Sequence, residues 1–487
     1  MEALRRLTRV GIHPRHALGE SSGPRHTGRV RETPQDQRWA RMFAEHGTLV
    51  ASLVKWTLLA TGVGILAGVG TAIFLRILDW AIGEAARTPW RLLWLPPGFV
   101  LAHLLVRFLA PDAEGHGTDK VIEAVHQRAG RIALAVAPVK LAATVVTIAV
   151  GGSVGKEGPA AQIGASLASG LASLLRLGRR DRRKVVICGI GAGFATVFGT
   201  PIAGAIFGLE VLVLGSLMYD VLYPSFVAGI VGYHVASQLG VRYFHTTLPG
   251  LPAPSERMLV DTLLAGVLFG LVAIVLIEAL RWTHHLAHRV RLPGCVVAAA
   301  GGTAVALGAW LTSDRYLGLG LPTLEATLRG EAVPPEAWLL KIVFTAVSLG
   351  TGGSGGIVTP IFFVGATAGG ALASITGLDP GMFAAIGMVA LLAGAANAPL
   401  AASVMAIELF GPGIGPFAAI AAIVAFIMSG HRSVYPSQVL GMPKTRSLGL
   451  RRGVELGAGA RIDPRLARLR WRRFRRALGR LGRRSRS

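Results

Sequence analysis

A series of apolar segments runs from residue 48 to residue 430, and most of them are interrupted by glycine or proline. Several are shorter than the roughly 20 residues that cross a bilayer as a helix. Irregular backbone at membrane depth is tolerated only where it is buried in protein or lines a cavity. The pattern therefore predicts an all-α polytopic membrane protein of tilted and broken helices. It excludes a disordered chain and disfavours a soluble multidomain enzyme.

Two blocks of sequence occur twice in the same order. Residues 152–165 read GSVGKEGPAAQIGA and residues 353–366 read GSGGIVTPIFFVGA, while TPIAGAIFGLE at 200–210 matches APLAASVMAIE at 398–408. The repeat predicts two homologous halves, at about 48–240 and 257–430. Short, interrupted segments in matching places of two repeats indicate a transport site at their interface, and such halves are often inverted in the bilayer. The sequence does not settle the inversion.

The positive charge is concentrated at the two ends of the chain. Of the net charge of +24, residues 1–41 carry +5 and residues 444–487 carry +14. We therefore expect a basic, mostly disordered segment at 1–44, a transmembrane domain at 45–440 and an Arg-rich tail at 441–487. Arginine-rich flanks stay on the cytoplasmic side, so both termini are predicted to be cytoplasmic at a cell (plasma or inner) membrane. A tail that binds nucleic acid is the less favoured alternative.

Three glycine-opened helix starts are predicted within this apolar chain. The exposed N–H groups and the dipole of a helix N-terminus favour an anion, without the need for a buried cation. One dehydrated anion facing several such ends is the functional hypothesis. The residues that shape the starts are Gly155, Lys156, Gly158 and Pro159 in the first, Gly356, Ile357, Val358 and Pro360 in the second, and His116 and Gly117 in the third.

Glu157 stands at the first of these starts. A carboxylate within a membrane segment is a functional hypothesis by default. Because it is negative, it competes with an anion for the same N–H groups, and protonation would release it. We therefore predict that Glu157 is a gate, the alternative being a simple helix N-cap.

The sequence predicts neither an enzyme nor a bound cofactor or metal. No nucleophile–base pair or phosphate loop is found, and Cys188 and Cys295 lie in apolar segments as packing residues. His284 and His288 have the spacing of two ligands on one helix face, but a third ligand is missing nearby. A cluster at the interfacial end of a helix is the preferred interpretation.

These motifs resemble the CLC family of chloride channels and proton/chloride antiporters, in its bacterial form without cytoplasmic CBS domains. GKEGP at 155–159, GIVTP at 356–360, PIAGAIFGLE at 201–210 and Tyr435 in SVYPSQVL carry the resemblance, in the family's order, over about 48–440. It implies an antiparallel two-half helical fold and a homodimer with one pore in each subunit. The implied activity is that of a voltage-gated chloride channel or a related transporter of small anions.

Carried over onto this chain, the resemblance makes Glu157 the gating glutamate, the amides of Ile357 and Val358 anion ligands, and Tyr435 a hydroxyl donor at the inner end. His116 replaces the family's serine ligand; its imidazole either takes over that role or turns away and packs, and Asp119 stands where the family has proline. Glu210 matches the first acid of the family's acid pair and suggests, with its repeat mate Glu408, a structural role for both.

Val211 replaces the second acid, which is the inner proton acceptor of the antiporters. Without that acid the standard proton relay is missing, so a passive chloride channel is the favoured interpretation. The alternatives are a proton-coupled chloride antiporter and a channel or exchanger for another anion, such as fluoride or nitrate. A membrane anchor without transport activity, whose tail binds nucleic acid, is weaker.

Overall fold

The computed structural model describes residues 34–88, 90–243, 255–445 and 453–457. The chain divides into two compact units, residues 1–54 and residues 55–487. In the first unit, the described part is helical. The second unit contains nearly all of the elements and the buried core.

The described residues form sixteen α-helices, eight in each half of the chain. The helices of the first half are α1 Pro34–Ala86, α2 Leu95–Leu109, α3 Thr118–Gln127, α4 Val136–Ala149, α5 Glu157–Leu174, α6 Arg179–Phe198, α7 Pro201–Glu210 and α8 Tyr219–Gln238. Those of the second half are α9 Glu256–Arg289, α10 Gly294–Leu311, α11 Leu321–Leu328, α12 Ala337–Gly350, α13 Val358–Thr376, α14 Pro380–Ala396, α15 Pro399–Phe410 and α16 Gly415–Met428.

Four short 3-10 turns and one small sheet complete the described structure. The turns are Arg91–Trp94, Pro111–Ala113, Asp314–Tyr316 and Pro412–Ile414. Strand β1, Val213–Leu214, pairs in parallel with β2, Val439–Leu440. This pairing attaches the segment after α16 to the connection between α7 and α8.

The helix lengths agree with a polytopic membrane protein. In the described part of the chain, five helices are long and apolar enough to cross a membrane, and six further helical segments of 10–17 residues are apolar but shorter. Every residue of α14 after Pro380 is buried, and most of them are alanine, glycine or other small apolar residues. Small residues let helix backbones approach closely where lipid supplies no hydrophobic driving force. The predicted all-α fold of broken helices is confirmed.

Two expectations about the ends of the chain need comment. Residues 34–44, assigned from the sequence to a disordered segment, are helical, because α1 begins at Pro34. That stretch contains Gln, Arg, Ala and Met, which are good helix formers. Residues 1–33 and most of the Arg-rich tail at 441–487 lie outside the described residues.

The two halves meet through reciprocal contacts between repeat mates. The Gly155 N–H donates to the Gly356 carbonyl, and the Gly356 N–H donates to the Gly155 carbonyl, both at 2.7 Å. Likewise, the Ser153 N–H donates to the Ser348 hydroxyl, and the Ser354 N–H donates to the Thr147 hydroxyl, both at 3.0 Å. A two-fold relation between homologous halves produces such exchanged pairs.

Glu210 and Glu408 form the third reciprocal set. The carboxylate of Glu210 accepts hydrogen bonds from the N–H groups of Leu400 and Ala401, at 3.0 and 2.8 Å. That of Glu408 accepts from Ile202 and Ala203, at 3.0 and 2.8 Å. The Glu210 carboxylate thus caps the N-terminus of α15, the helix that contains Glu408, and the Glu408 carboxylate caps the N-terminus of α7, the helix that contains Glu210. Such caps are needed because the first N–H groups of a helix lack partners within it.

We expect alanine at either glutamate to destabilise the protein by about 2–5 kcal/mol, because two N–H groups lose charged acceptors. Glu210→Ala and Glu408→Ala should lower the midpoint of thermal unfolding in detergent by similar amounts. Glu325→Ala, which removes an exposed carboxylate near Arg329, is the control and should change stability by less than about 0.5 kcal/mol. Wild-type stability in both cap variants would contradict the capping role.

Candidate anion pathway

The carboxylate of Glu157 spans the interface between the halves. Glu157 is the first residue of α5 and is 1% exposed. Its Oε2 accepts a hydrogen bond from the Thr359 N–H at 2.9 Å, and its Oε1 accepts from the Thr359 hydroxyl at 2.5 Å. A carboxylate from one half therefore occupies the N-terminus of α13 in the other half.

The location of Thr359 explains why the carboxylate binds there. Ile357 is the N-cap of α13 and Val358 is its first residue, so Thr359 lies in the first turn. The N–H groups of a first turn have no acceptors within the helix and carry its partial positive charge. An anion replacing the Glu157 carboxylate would meet the same donors, including the amides of Ile357 and Val358.

The start of α3 is packed against the start of α5, backbone to backbone. Gly117 has φ +80°, and a Cβ there would lie 2.5 Å from the Gly158 carbonyl oxygen. A Cβ on Gly158 would lie 2.1 Å from the His116 carbonyl oxygen. Only glycine fits at both positions. Together with the bridge between Gly155 and Gly356, this packing brings the three predicted helix starts into one region.

Two buried hydroxyls lie beside one another in this region. The side chains of Tyr435 and Thr118 are both fully buried. Their hydroxyls are neighbours, and Tyr435 also interacts electrostatically with Glu157. Neither oxygen forms a hydrogen bond of conventional geometry with the described residues. Because buried polar groups normally have partners, the pair suits a ligand such as an anion or water.

A buried lysine side chain supports the loop before α3. Lys140 on α4 donates to the carbonyls of Ala113 and Gly115, at 3.1 and 2.6 Å, and its side chain is fully buried. Its repeat mate Lys341 donates to the carbonyls of Tyr316 and Gly318 in the same manner. The region therefore contains a buried lysine amine, which the motifs alone did not indicate. The two lysines occupy matching positions in the repeats, and this match could have predicted their shared structural role from the sequence.

His116 lies in the wall of a large cavity of about 1630 Å³. The residue is half-buried, and its charged or titratable neighbours are Lys140 and His284. Residues 430–434, Pro436, Ser437 and residues 455–457 form another part of the wall. The cavity therefore extends from the start of α3 to the segment that carries Tyr435.

Asp119 connects α3 to that same segment. It is the second residue of α3, and its Oδ1 accepts a hydrogen bond from the Ser437 N–H at 2.9 Å. Ser437 follows Tyr435 by two residues. The acid that replaces the family's proline therefore attaches the tyrosine segment to the third helix start.

His431 and Lys444 lie beyond α16 at the edge of this region. The Lys444 N–H donates to Nε2 of His431 at 3.0 Å. Burial, and then the nearby Lys444 ammonium, lower the pKa of His431 to about 4. The imidazole is consequently neutral at pH 7 and adds no positive charge to the cavity wall.

Comparison with known proteins identifies the family. The profile described as "Voltage gated chloride channel" matches residues 98–430, more than half of the chain. This chain belongs to the CLC family.

Individual CLC proteins are similar over nearly the whole membrane domain. A chloride/fluoride channel protein of Pseudomonas syringae pv. tomato is 41% identical over 403 residues, covering 81% of this chain and 89% of that protein. A CLC-type fluoride/proton antiporter of known structure is 30% identical with a TM-score of 0.76, covering 79% of this chain and 98% of the other. A slow cyanobacterial Cl−/H+ antiporter shares the fold at 20% identity, with a TM-score of 0.69.

In this CLC chain the sequence motifs predicted the three helix starts, but they did not predict every side chain that lies beside those starts. Thr359, Thr118 and Lys140 were missed. Thr359 had a recognisable signal, since it is the only hydroxyl residue in GIVTP. His284 and His288 have rings 4.4 Å apart, and no group of three metal-ligating side chains is found among the described residues.

Proposed function

We propose that this CLC protein exchanges fluoride for protons across a bacterial inner membrane, with chloride as a second anion. The observation that carries the proposal is the Glu157 carboxylate at the N-terminus of α13, held by Thr359. A titratable group that occupies an anion site couples proton binding to anion access. The names of the relatives at 41% and 30% identity support fluoride as the anion.

The mechanism follows from the charge of Glu157. When ionised, the carboxylate accepts charge-assisted hydrogen bonds from the Thr359 N–H and hydroxyl, which are roughly twice as strong as neutral ones. A proton on Glu157 removes the negative charge and weakens both bonds, so the side chain leaves the helix start. An anion then enters and faces the amides of α13. Departure of the proton returns the carboxylate and displaces the anion.

The second candidate is the passive channel favoured by the sequence. The observation in its favour is that Val211 is fully buried and apolar, while both carboxylate oxygens of Glu210 cap α15. Neither residue is thus available as an inner proton acceptor. A passive channel would use Glu157 only as a gate.

Fluoride and proton movement in proteoliposomes distinguish the two candidates. A fluoride electrode and a pH probe should record protons moving uphill when an outward fluoride gradient is imposed. Fluoride flux that collapses its own gradient without moving protons would support the passive channel. Replacing fluoride with chloride or nitrate under the same conditions ranks the anions.

Thr359→Val should release Glu157 more readily, because valine removes the hydroxyl donor but keeps the shape and the N–H group. A hydrogen bond to a charged group contributes about 1.5–3 kcal/mol, so the pH at which flux is half-maximal should rise by one unit or more. Thr359→Ser restores the hydroxyl and is the control. An unchanged pH profile of flux in the valine variant would contradict this gating geometry.

The assembly and orientation of the protein complete the proposal. The family and the apolar helices make it a multi-pass membrane protein. We further propose that it is a homodimer with one pathway in each subunit. Both termini lie on the cytoplasmic side, as their positive charge favours. The cavity lined by His116, Pro436 and Ser437 then opens toward the cytoplasm.

A further inference from the structure

Asp119 is in contact with both the large cavity and the buried part of the anion pathway. It lines the cavity wall and is half-buried, so its side chain can be reached from the cavity. Its Oδ1 accepts the Ser437 N–H at 2.9 Å. This contact places the carboxylate beside the turn that carries Tyr435.

The Tyr435 hydroxyl continues the path inward. It interacts electrostatically with both Asp119 and Glu157, and it lies beside the Thr118 hydroxyl. Neither hydroxyl has a hydrogen-bond partner of conventional geometry among the described residues. A hydroxyl can accept a proton on a lone pair while it gives up its own. Together with water, these two groups can therefore pass a proton without a net change of their own.

Glu210 and Val211, which stand at the positions of the family's acid pair, do not provide a path for protons from the cavity. The side chain of Val211 is buried and apolar, and Glu210 is engaged at α15 through both oxygens. Asp119 differs from Glu210 because one of its faces is open to the cavity. By the resemblance of the motif, Asp119 stands where the family's pattern has a proline.

We propose that Asp119 is the inner proton acceptor of this protein and relays protons between the cavity and Glu157. The inference rests on the proposed proton exchange. A proton from cavity water binds the Asp119 carboxylate and moves on, through water and the hydroxyls of Tyr435 and Thr118, to Glu157. Asp119 is again ionised, and neutral Glu157 leaves Thr359. The reverse sequence carries a proton outward to the cavity.

The charged residues nearest to Asp119 on α3 are one lysine and one glutamate, which form an ion pair with each other. Lys120 and Glu123 flank it on α3 and pair with each other at 3.2 Å. Tyr435 faces it from the segment after α16, and Glu157 on α5 is reached through that tyrosine. His116 and Glu455 line the same cavity. Because Lys120 is paired with Glu123, Asp119 has no exclusive cationic partner on α3.

The test is the number of protons moved per fluoride in proteoliposomes of Asp119→Asn. Asparagine keeps an acceptor for the Ser437 N–H but cannot take up a proton. We expect fluoride flux to persist, because Glu157 can still exchange protons with the side of the membrane opposite the cavity. Proton movement across the membrane should fall by about 100-fold or more, the usual contribution of a positioned acid–base group. Asp119→Glu restores a carboxyl group and should retain coupling. Glu325→Gln, which removes an exposed carboxylate that pairs with Arg329 and is not in the cavity wall, is the control and should couple as the wild type does.

Three other results of this experiment would contradict the relay, and one of them would also contradict the proposed exchange. Wild-type coupling in Asp119→Asn would overturn the relay and leave the proposed exchange intact. Loss of both fluxes would also overturn it, because asparagine preserves the contact to Ser437 and a relay residue is not needed for anion flux. Absence of proton movement in the wild type itself would overturn the proposed exchange, and the relay with it.

Discussion

Replacing Glu157 with glutamine should abolish proton movement driven by a fluoride gradient and leave an anion flux that no longer depends on pH. Glutamine cannot titrate, so no cycle of protonation remains at the start of α13. Its amide oxygen can still accept from the Thr359 N–H, but without the negative charge the hold is weaker. The variant should therefore behave as a constantly protonated gate.

The size of this effect follows from the chemistry of the step. The wild type requires a proton for every release of the carboxylate, whereas the variant requires none. Uphill proton movement should fall below detection, while fluoride efflux persists at pH 7.5. The two quantities can be recorded simultaneously in the same vesicles.

Glu210→Gln is the matched control for this experiment. Glu210 is also a buried glutamate, but its carboxylate caps α15 and does not contact Thr359. Protein that remains folded with this substitution should keep pH-dependent flux. Persistent proton coupling in Glu157→Gln, or its loss in folded Glu210→Gln, would refute the assignment of the gate.

Gly158→Ala should eliminate anion flux from correctly inserted protein. The added Cβ would lie 2.1 Å from the His116 carbonyl oxygen and 3.1 Å from Cα of Gly356. Both neighbours are backbone atoms, so they cannot turn away as a side chain would. The starts of α3 and α5 must separate, which removes the convergence of helix ends that defines the pathway.

The control for this substitution lies on the same helix. A Cβ on Gly170 would lie 3.2 Å from the Cδ1 atom of Leu134, a side-chain tip that can move. Gly170→Ala also gains up to about 1 kcal/mol of helix propensity. It should retain flux and stability. Normal flux in Gly158→Ala would show that close contact between α3 and α5 is not required for transport.

Much of the fold could be predicted because its signals are local. Apolar runs located most of the helices, and glycine and proline marked their ends, as at Pro201 and Pro399. The repeat at matching spacing predicted two related halves, and the reciprocal hydrogen bonds between Gly155 and Gly356 agree with that relation. A bilayer strengthens these signals, since every backbone polar group within it must find a partner in the protein.

The sequence by itself determined the helices, the repeat and the three glycine-opened starts, whereas the tertiary structure alone decided what faces each start. The Glu157 carboxylate accepts a hydrogen bond from Thr359 in the opposite half, and the Asp119 carboxylate accepts one from Ser437 near the end of the described chain. The Glu210 carboxylate caps α15. These partners are about 190 to 320 residues apart in sequence. Helix propensity and apolar periodicity act over a few turns, so they contain no information on such pairings. Only the packing of the two halves, with backbones in contact at Gly117 and Gly158, brings them together.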